Sequence, residues 1–156
     1  MKKNLFLVCL FMFGTLASCQ CSSKKSADNT VVNTTETPVP LGDPFILLHD
    51  GVYYAYGTHS NKGIEFYTSD DLLTWKYGGL ALNKEDSWAD RWFWAPEIYF
   101  VNGKFYMYYS ADEHICVAVA DSPTGPFVQD KKEPMIADEK CIDNSLFIDD
   151  NGTPYL

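Results

Sequence analysis

The sequence predicts an all-β fold, the β-propeller, from three observations. Apolar strands are followed by Asp-Gly or Asn-Gly turns, whose glycines Gly51, Gly103 and Gly152 lie 52 and then 49 residues apart. Such dipeptides are the strongest short-range signal for a β-hairpin. No convincing helical period follows residue 40. A repeat of about 50 residues with three or four short strands has the size of a propeller blade, whereas a β-sandwich would show even strand spacing without this self-similarity.

The first predicted blade begins with a hairpin. Its first strand lies in "PFILLHDG" and its second in "GVYYAYGT", which ends at Thr58. A third strand follows in "IEFYTSDDLLTW", residues 64–75, and leads to a turn and an aromatic residue. Strands rich in aromatic and β-branched residues between turn signals are typical of an antiparallel meander.

The second repeat has the same order, and a third one begins. The second hairpin lies in "PEIYFVNG" and "GKFYMYYS", and its third strand lies in "HICVAVADSPTGPF", residues 114–127. The third hairpin comprises "SLFIDDNG" and "GTPYL". These patterns predict two blades and the start of a third. Because a propeller needs about four or more blades, we expect this chain to be the N-terminal part of a longer propeller, or a truncated one.

The N-terminus has the pattern of an export signal. Residues 1–18 combine a basic start, a short apolar stretch and small residues, as a secretory signal peptide does. The exit, Leu16-Ala17-Ser18-Cys19, resembles the lipobox of bacterial lipoproteins, which implies a lipid on Cys19; the alternative is an ordinary signal peptide with a cysteine nearby. Residues 19–40 are polar and predict a flexible linker, which leaves residues 41–156 as the folded part. We therefore expect a bacterial envelope lipoprotein, on the periplasmic or cell-surface side, that contacts the membrane only through its lipid.

Charge and composition exclude several classes of function. The formal net charge is −9, and loss of Lys2 and Lys3 with the signal takes it to about −11, which argues against nucleic-acid binding. The histidines are scattered singly, so no zinc site is predicted, and no organic cofactor is expected. Neither a glycine-rich phosphate loop nor a nucleophile elbow occurs. For Cys116 and Cys141 buried free thiols are favoured over a disulfide, although an exported protein permits one.

Two aspartates recur at the start of the repeats. Asp43 lies eight residues before Gly51, and Asp143 lies nine before Gly152. Because the first strand of each blade lines the central channel of a propeller, both carboxylates could face one pocket. The middle repeat has Ala95 at this place. On spacing alone, a structural function in the turn chemistry of Asp-Pro is an equal alternative.

Longer segments around these aspartates resemble a known family. The stretches "GDPFILLHDGVYYAYGT", "WFWAPEIYFVNGKFYMYYS" and "CIDNSLFIDDNGTPYL" are similar to the opening blades of glycoside hydrolase family 43, whose members are five-bladed propeller enzymes. The resemblance covers residues 41–156. It implies hydrolysis of arabinofuranosides, xylosides or related linkages in plant-type oligosaccharides or polysaccharides. It also implies that Asp43 is a general base and that Asp143 tunes the pKa of a general acid and orients it.

The implied functions agree with the chemistry of inversion. That reaction needs two carboxyl groups roughly 6.5–9.5 Å apart, one ionised and the other protonated, with a water molecule between base and sugar. A further carboxylate raises the pKa of the acid by repulsion between like charges. In the family the acid is a glutamate of a later blade, beyond Leu156, so this stretch alone should be inactive.

Several other side chains are candidates for a function at the site, with a structural function as the alternative. Trp94 resembles a position near the active site of the family and is a candidate for substrate binding, with core packing as the alternative. For Trp88 and Trp92 we expect an exposed loop that shapes a subsite. For Glu97 a structural or peripheral function is favoured over a second pocket carboxylate.

Three other interpretations stay open from the sequence. The first is a non-catalytic sugar-binding propeller on the cell surface, which would keep the aromatic residues and lack the acid. The second is a related propeller that cleaves fructans with retention, in which the first aspartate is the nucleophile and the carboxyl groups lie about 5–5.5 Å apart. The third is a structural propeller for protein contacts.

Overall fold

The computed structural model describes residues 38–156. The predicted signal peptide, Cys19 and most of the predicted linker lie outside the described residues. Within residues 38–156, no helix is long and apolar enough to cross a membrane.

Blade 1 is a four-stranded antiparallel meander in chain order. Its strands are β1 (Gly42–His49), β2 (Val52–Thr58), β3 (Gly63–Ser69) and β4 (Lys76–Asn83). The β1–β2 turn has positive φ at both central residues, 48° at Asp50 and 79° at Gly51. A tight two-residue hairpin turn requires this conformation, which Asp and Gly tolerate better than most residues.

Blade 2 repeats the meander with three strands, and a short hairpin follows it. Its strands are β5 (Trp94–Val101), β6 (Lys104–Ala111) and β7 (His114–Ala120), and the third repeat contributes β8 (Phe147–Ile148) and β9 (Pro154–Tyr155). The turn at Asn102-Gly103 again has positive φ at both residues, 51° and 79°. Apart from one 3₁₀ turn at Lys84–Asp86, residues 38–156 contain no helix. The predicted all-β class is therefore confirmed.

The two blades bury a common apolar core. In β6 and β7 buried and less buried residues alternate, because successive side chains of a strand point to opposite faces. The buried faces of both blades supply the core, whose larger members are Tyr56, Ile64, Phe66, Leu82, Phe93, Ile98, Phe105, Met107, Tyr109, Cys116 and Phe127. Burial of this apolar surface holds blade 2 against blade 1.

Aromatic and polar contacts also tie the blades together. The imidazole of His49, at the end of β1, lies edge-on to Phe100 and Phe105 of blade 2, with ring centroids 4.7 Å and 4.8 Å away. The hydroxyl of Tyr56 donates a hydrogen bond to the backbone carbonyl of Pro123. These contacts hold the end of β1 and the middle of β2 against blade 2, and the candidate site lies at the opposite ends of β1 and β5, where both strands start.

Candidate active site

Each of the three repeats begins with a residue in the left-handed backbone conformation. The φ angles are 46° at Asp43, 42° at Ala95 and 60° at Asp143. L-residues other than glycine rarely adopt this conformation, and aspartate tolerates it better than most. The same conformation at three places one repeat apart marks a common backbone feature of the fold.

In blades 1 and 2 this feature is a β-bulge. The pairing of β1 with β2 shifts between Gly42 and Phe45, and that of β5 with β6 shifts between Trp94 and Glu97. Two residues of the first strand therefore face one residue of the second. A bulge bends the strand and redirects its side chains, and bulges are frequent next to active sites.

The three repeat starts meet at one depression of about 310 Å³. Each repeat supplies three consecutive residues to it: Asp43, Pro44 and Phe45; Ala95, Pro96 and Glu97; Asp143, Asn144 and Ser145. The structure thus brings together Asp43 and Asp143, which are a hundred residues apart in the chain. It adds Glu97, for which the sequence favoured a peripheral place.

Hydroxyl side chains hold the starts of neighbouring repeats. The Thr58 hydroxyl, at the end of β2, donates a hydrogen bond to the Asp43 carboxylate over 2.9 Å and accepts one from the Ala95 N–H over 3.1 Å. The Ser110 hydroxyl, at the equivalent place in β6, accepts a hydrogen bond from the Asp143 N–H over 3.1 Å. Sequence reasoning missed both hydroxyls, although Thr58 and Ser110 align in the repeats.

Glu97 forms hydrogen bonds to the third repeat while it lines the depression. Its carboxylate accepts hydrogen bonds from the Tyr99 hydroxyl and from the Leu146 N–H, the latter over 3.3 Å. Burial, together with the neighbouring Glu97 carboxylate, raises the pKa of Tyr99 to about 12. Tyr99 therefore remains a neutral donor at neutral pH, and Glu97 joins the start of the third repeat to blade 2.

Asn144 has a buried side-chain amide at the edge of the depression. Only 6% of the residue is exposed, and neither its Oδ1 nor its Nδ2 has a hydrogen-bond partner among residues 38–156. Pro44 and Pro96 occupy the same place in the first two repeats. The sequence shows that Asn144 replaces the proline of the first two repeats, but it does not show that the side chain is buried. A buried amide without partners costs free energy.

Trp94 does not line the depression but directly precedes Ala95, which does. Its ring stacks on that of Trp92, with centroids 5.8 Å apart and planes 11° from parallel. The guanidinium of Arg91 lies 4.4 Å from the centroid of the exposed Trp92 ring and pairs with Asp112 over 2.8 Å. The two rings thus stack on each other directly before Ala95 in the chain, and Arg91 lies over the Trp92 ring.

Trp88 lies in the expected loop, between the 3₁₀ turn and β5, but it is half-buried rather than exposed. Its ring packs against the core and lies edge-on to His114, with centroids 5.1 Å apart. Its backbone N–H donates to the side-chain carbonyl of the buried Gln129 over 2.8 Å. This hydrogen bond spans 41 residues of sequence, so the local pattern did not show the burial.

The cysteines and potential metal ligands show no site within residues 38–156. No group of three or more His, Cys, Asp or Glu side chains is placed there to hold a metal ion. Cys116 is buried and Cys141 is partly buried, and both are free thiols. Burial raises the pKa of Cys116 to about 11, so it is not a reactive thiolate at neutral pH.

Comparison with protein families and with other sequences identifies relatives of this chain. Residues 35–156 match the family model described as glycosyl hydrolases family 43. A xylosidase/arabinosidase 43A of Humicola insolens is 39% identical over 144 residues, which cover 77% of this chain and 43% of that protein. An extracellular exo-α-(1→5)-L-arabinofuranosidase of Cellvibrio japonicus is 30% identical over 140 residues, covering 76% of this chain and 40% of that protein. The chain thus spans about two fifths of the length of these relatives.

Solved structures show the same similarity. An endo-1,4-β-xylanase from Bacteroides thetaiotaomicron superposes with a TM-score of 0.70 at 50% identity, covering 74% of this chain and 41% of that one. An endo-arabinase from the same organism gives a TM-score of 0.66 at 34% identity, covering 76% and 45%. These similarities confirm the predicted propeller fold, with two blades and the start of a third present in the described residues.

Proposed function

Because the chain belongs to glycoside hydrolase family 43, we propose that the whole protein, meaning everything that its gene encodes, hydrolyses O-glycosidic bonds with inversion. The substrates would be arabinofuranosides, xylosides or related linkages in plant-type oligosaccharides or polysaccharides. The support is the depression that Asp43 and Asp143 line together, at the meeting point of three repeat starts. The relatives, a xylosidase/arabinosidase and an exo-arabinofuranosidase, agree with this substrate class.

In the proposed mechanism the two aspartates have different functions. Asp43 is the general base, which removes a proton from the water that attacks the anomeric carbon. Asp143 raises the pKa of a general acid by repulsion between like charges and orients it. The acid donates its proton to the oxygen of the leaving group. We propose that this acid is a glutamate beyond Leu156, so that the stretch described here is inactive by itself.

We assign substrate binding to Trp94, which directly precedes the lining residue Ala95 and is partly exposed. The C–H face of a sugar ring can pack on its indole ring. Trp94 would therefore contact a part of the substrate next to the depression.

The surface of the blades also favours a larger propeller. Ile46 and Leu48 of β1 are exposed, as are Phe147 and Ile148 of β8. Exposed apolar residues on the first strands of two repeats are suited to burial against further blades. A complete propeller would cover them and would supply the remaining wall of the depression.

For the cellular location we propose the bacterial envelope. The support is the sequence Leu16-Ala17-Ser18-Cys19 after a short apolar stretch. Lipid on Cys19 would hold the enzyme at a membrane surface, and the polar residues 19–40 would serve as a tether. Replacement of Cys19 by serine is expected to release the protein from the membrane fraction, as measured by fractionation and by labelling with a radioactive fatty acid.

The test of the enzymatic function has two steps. The coding sequence is first read past Leu156, where we expect further repeats at the same spacing and a glutamate at a strand start. The whole protein is then incubated with aryl α-L-arabinofuranoside and aryl β-D-xyloside, and the anomeric configuration of the first product is followed by NMR. Release of sugar with inverted configuration supports the proposal. Retained configuration would refute the assignment of Asp43 as a base, and sugar binding without release would indicate the non-catalytic alternative.

A further inference from the structure

The Thr58 side chain bonds to the first strands of both blades. Thr58 ends β2, and its half-buried hydroxyl lies between the starts of β1 and β5. Over 2.9 Å it donates to Oδ2 of Asp43, and over 3.1 Å it accepts the N–H of Ala95. The bond to Asp43 crosses 15 residues of sequence and the bond to Ala95 crosses 37. A single hydroxyl therefore connects the carboxylate of blade 1 with the backbone of blade 2.

These two bonds fix the direction of the hydroxyl proton. A threonine hydroxyl has one hydrogen and two lone pairs. The Ala95 N–H can only donate, so it occupies a lone pair and leaves the hydrogen to the Asp43 carboxylate. Threonine is also restricted about χ1 by its branched β-carbon. The hydroxyl is thus held as a donor to the ionised carboxylate, and hydrogen bonds to charged groups are stronger than neutral ones.

Comparison with blade 2 distinguishes the two hydrogen bonds of this hydroxyl, the one to the next repeat and the one to a carboxylate. Ser110 is the equivalent residue of β6, and it accepts the N–H of Asp143 as Thr58 accepts that of Ala95. The residue of blade 2 that corresponds to Asp43 is Ala95, which has no carboxylate. The bond to the next repeat is therefore common to both blades and explains only a structural function. The bond to a carboxylate is added in blade 1 alone.

We propose that Thr58 is a positioning residue for glycoside hydrolysis, which holds the Asp43 carboxylate in the orientation that faces the depression. This inference rests on the proposed function of Asp43 as general base. In this proposal neither the Thr58 side chain nor the rest of β2 contacts the reacting atoms. Thr58 acts through Asp43, and the Ala95 N–H keeps its hydroxyl in place.

The test uses the whole protein with the aryl glycoside that it cleaves. Thr58→Val keeps the shape of the side chain and removes the hydroxyl, whereas Thr58→Ser keeps the hydroxyl. Thr68→Val is the matched control, because Thr68 lies on the neighbouring strand and pairs with Tyr54, four residues before Thr58. Asp43→Asn reports whether the reaction depends on the base. Melting temperatures and circular dichroism show that each variant is folded.

We expect Thr58→Val to lower kcat about tenfold to hundredfold, the value of one hydrogen bond to a charged group, with a much smaller change in KM. Thr58→Ser should restore most of the rate, and Thr68→Val should behave as the wild type.

Other outcomes would overturn the proposal. If Thr58→Val lowers only the melting temperature and leaves kcat unchanged, then the hydroxyl serves the fold alone. If Thr58→Ser is as slow as Thr58→Val, the methyl group rather than the hydroxyl matters. If Asp43→Asn is itself fully active, the failure lies with the proposed function and not with Thr58. Should Thr58→Val not fold, the kcat and KM of Thr58→Ser against those of Thr58→Ala decide.

Discussion

Blade 1 and blade 2 have the same backbone design and differ in the residues placed on it. Both begin with a left-handed residue in a β-bulge, turn through two residues of positive φ and have a hydroxyl side chain at or next to the end of the second strand. In blade 1 the left-handed residue is Asp43, and in blade 2 it is Ala95. The repeated backbone therefore directs the corresponding residue of each blade toward the depression, and that residue carries a carboxylate in blade 1 and a methyl group in blade 2.

The variant with the largest expected effect removes this difference between the blades. Asp43→Ala gives blade 1 the residue that blade 2 has at this place, and Ala95 demonstrates that the bulge accepts alanine. In the whole protein we expect kcat/KM to fall about 10²–10⁴-fold, the usual contribution of a general base, with little change in folding. Steady-state kinetics on an aryl glycoside measures it, with the exposed Asp70→Ala as control. Unchanged activity would mean that the depression is not the place of reaction.

A second variant tests how each blade fills its core. Met107 of β6 is fully buried, and the repeat places Ala55 of β2 at the equivalent position. Met107→Ala makes blade 2 like blade 1 and leaves a cavity, because the blades are packed around different side chains. The free energy of unfolding should fall by about 2–5 kcal/mol in denaturant titrations. A loss below about 1 kcal/mol would mean that neighbouring side chains close the cavity.

A third variant concerns the turn after the third strand, which a carboxylate stabilises in blade 1. Hydrogen bonds from the N–H groups of Thr74 and Leu73 lower the pKa of Asp71. A lowered pKa in the folded state stabilises the protein above the ordinary carboxyl pKa near 4, and this stability is lost as the pH falls through the folded pKa. Asp71→Ala should therefore lower the melting temperature at neutral pH.

The pH dependence distinguishes this hydrogen bonding from a general effect of charge. The difference between Asp71→Ala and the wild type should shrink as the pH is lowered below about 4, because the carboxyl becomes protonated in both the folded and the unfolded wild type. Asp70→Ala, the exposed neighbour, should not show this pattern. A difference that stays constant down to pH 2 would exclude the ionised carboxylate as its source.

The smallest expected effect concerns the backbone strain that the blades share. Ala95 has a φ of 42°, which costs an alanine about 1–2 kcal/mol. Ala95→Gly removes this strain but adds about 0.4–1 kcal/mol of entropy loss on folding. We expect a gain in stability of up to about 1 kcal/mol by denaturant titration. A clear loss of stability would show that the Ala95 methyl group contributes more by packing than its backbone costs.

Much of the fold could be predicted because it depends on neighbours in sequence. Asp50-Gly51 and Asn102-Gly103 form the predicted turns, since these dipeptides tolerate positive φ without help from the rest of the chain. The alternation of apolar residues likewise indicates strands, because it follows from the pleat. The repeat spacing also placed Asp43 and Asp143 at corresponding points of two blades.

The environment of those aspartates could not be predicted in the same way. The hydrogen bond of Thr58 to Ala95, the bond of Glu97 to the Leu146 N–H, and the buried amide of Asn144 all depend on residues or surfaces distant in the chain. The partial burial of Trp88 in its loop was missed for the same reason, because it depends on core residues and on Gln129.

The sequence by itself determined the strands, the turns and the repeat, because periodicity and turn chemistry act over a few residues. It also determined which repeats carry an aspartate and which carries an alanine. Only the tertiary structure decided that three repeat starts form one depression, because that requires the blades to pack through a common core. The same packing selected the hydrogen-bond partners of each carboxylate, since a bond between residues tens of positions apart exists only when both strands are already in place.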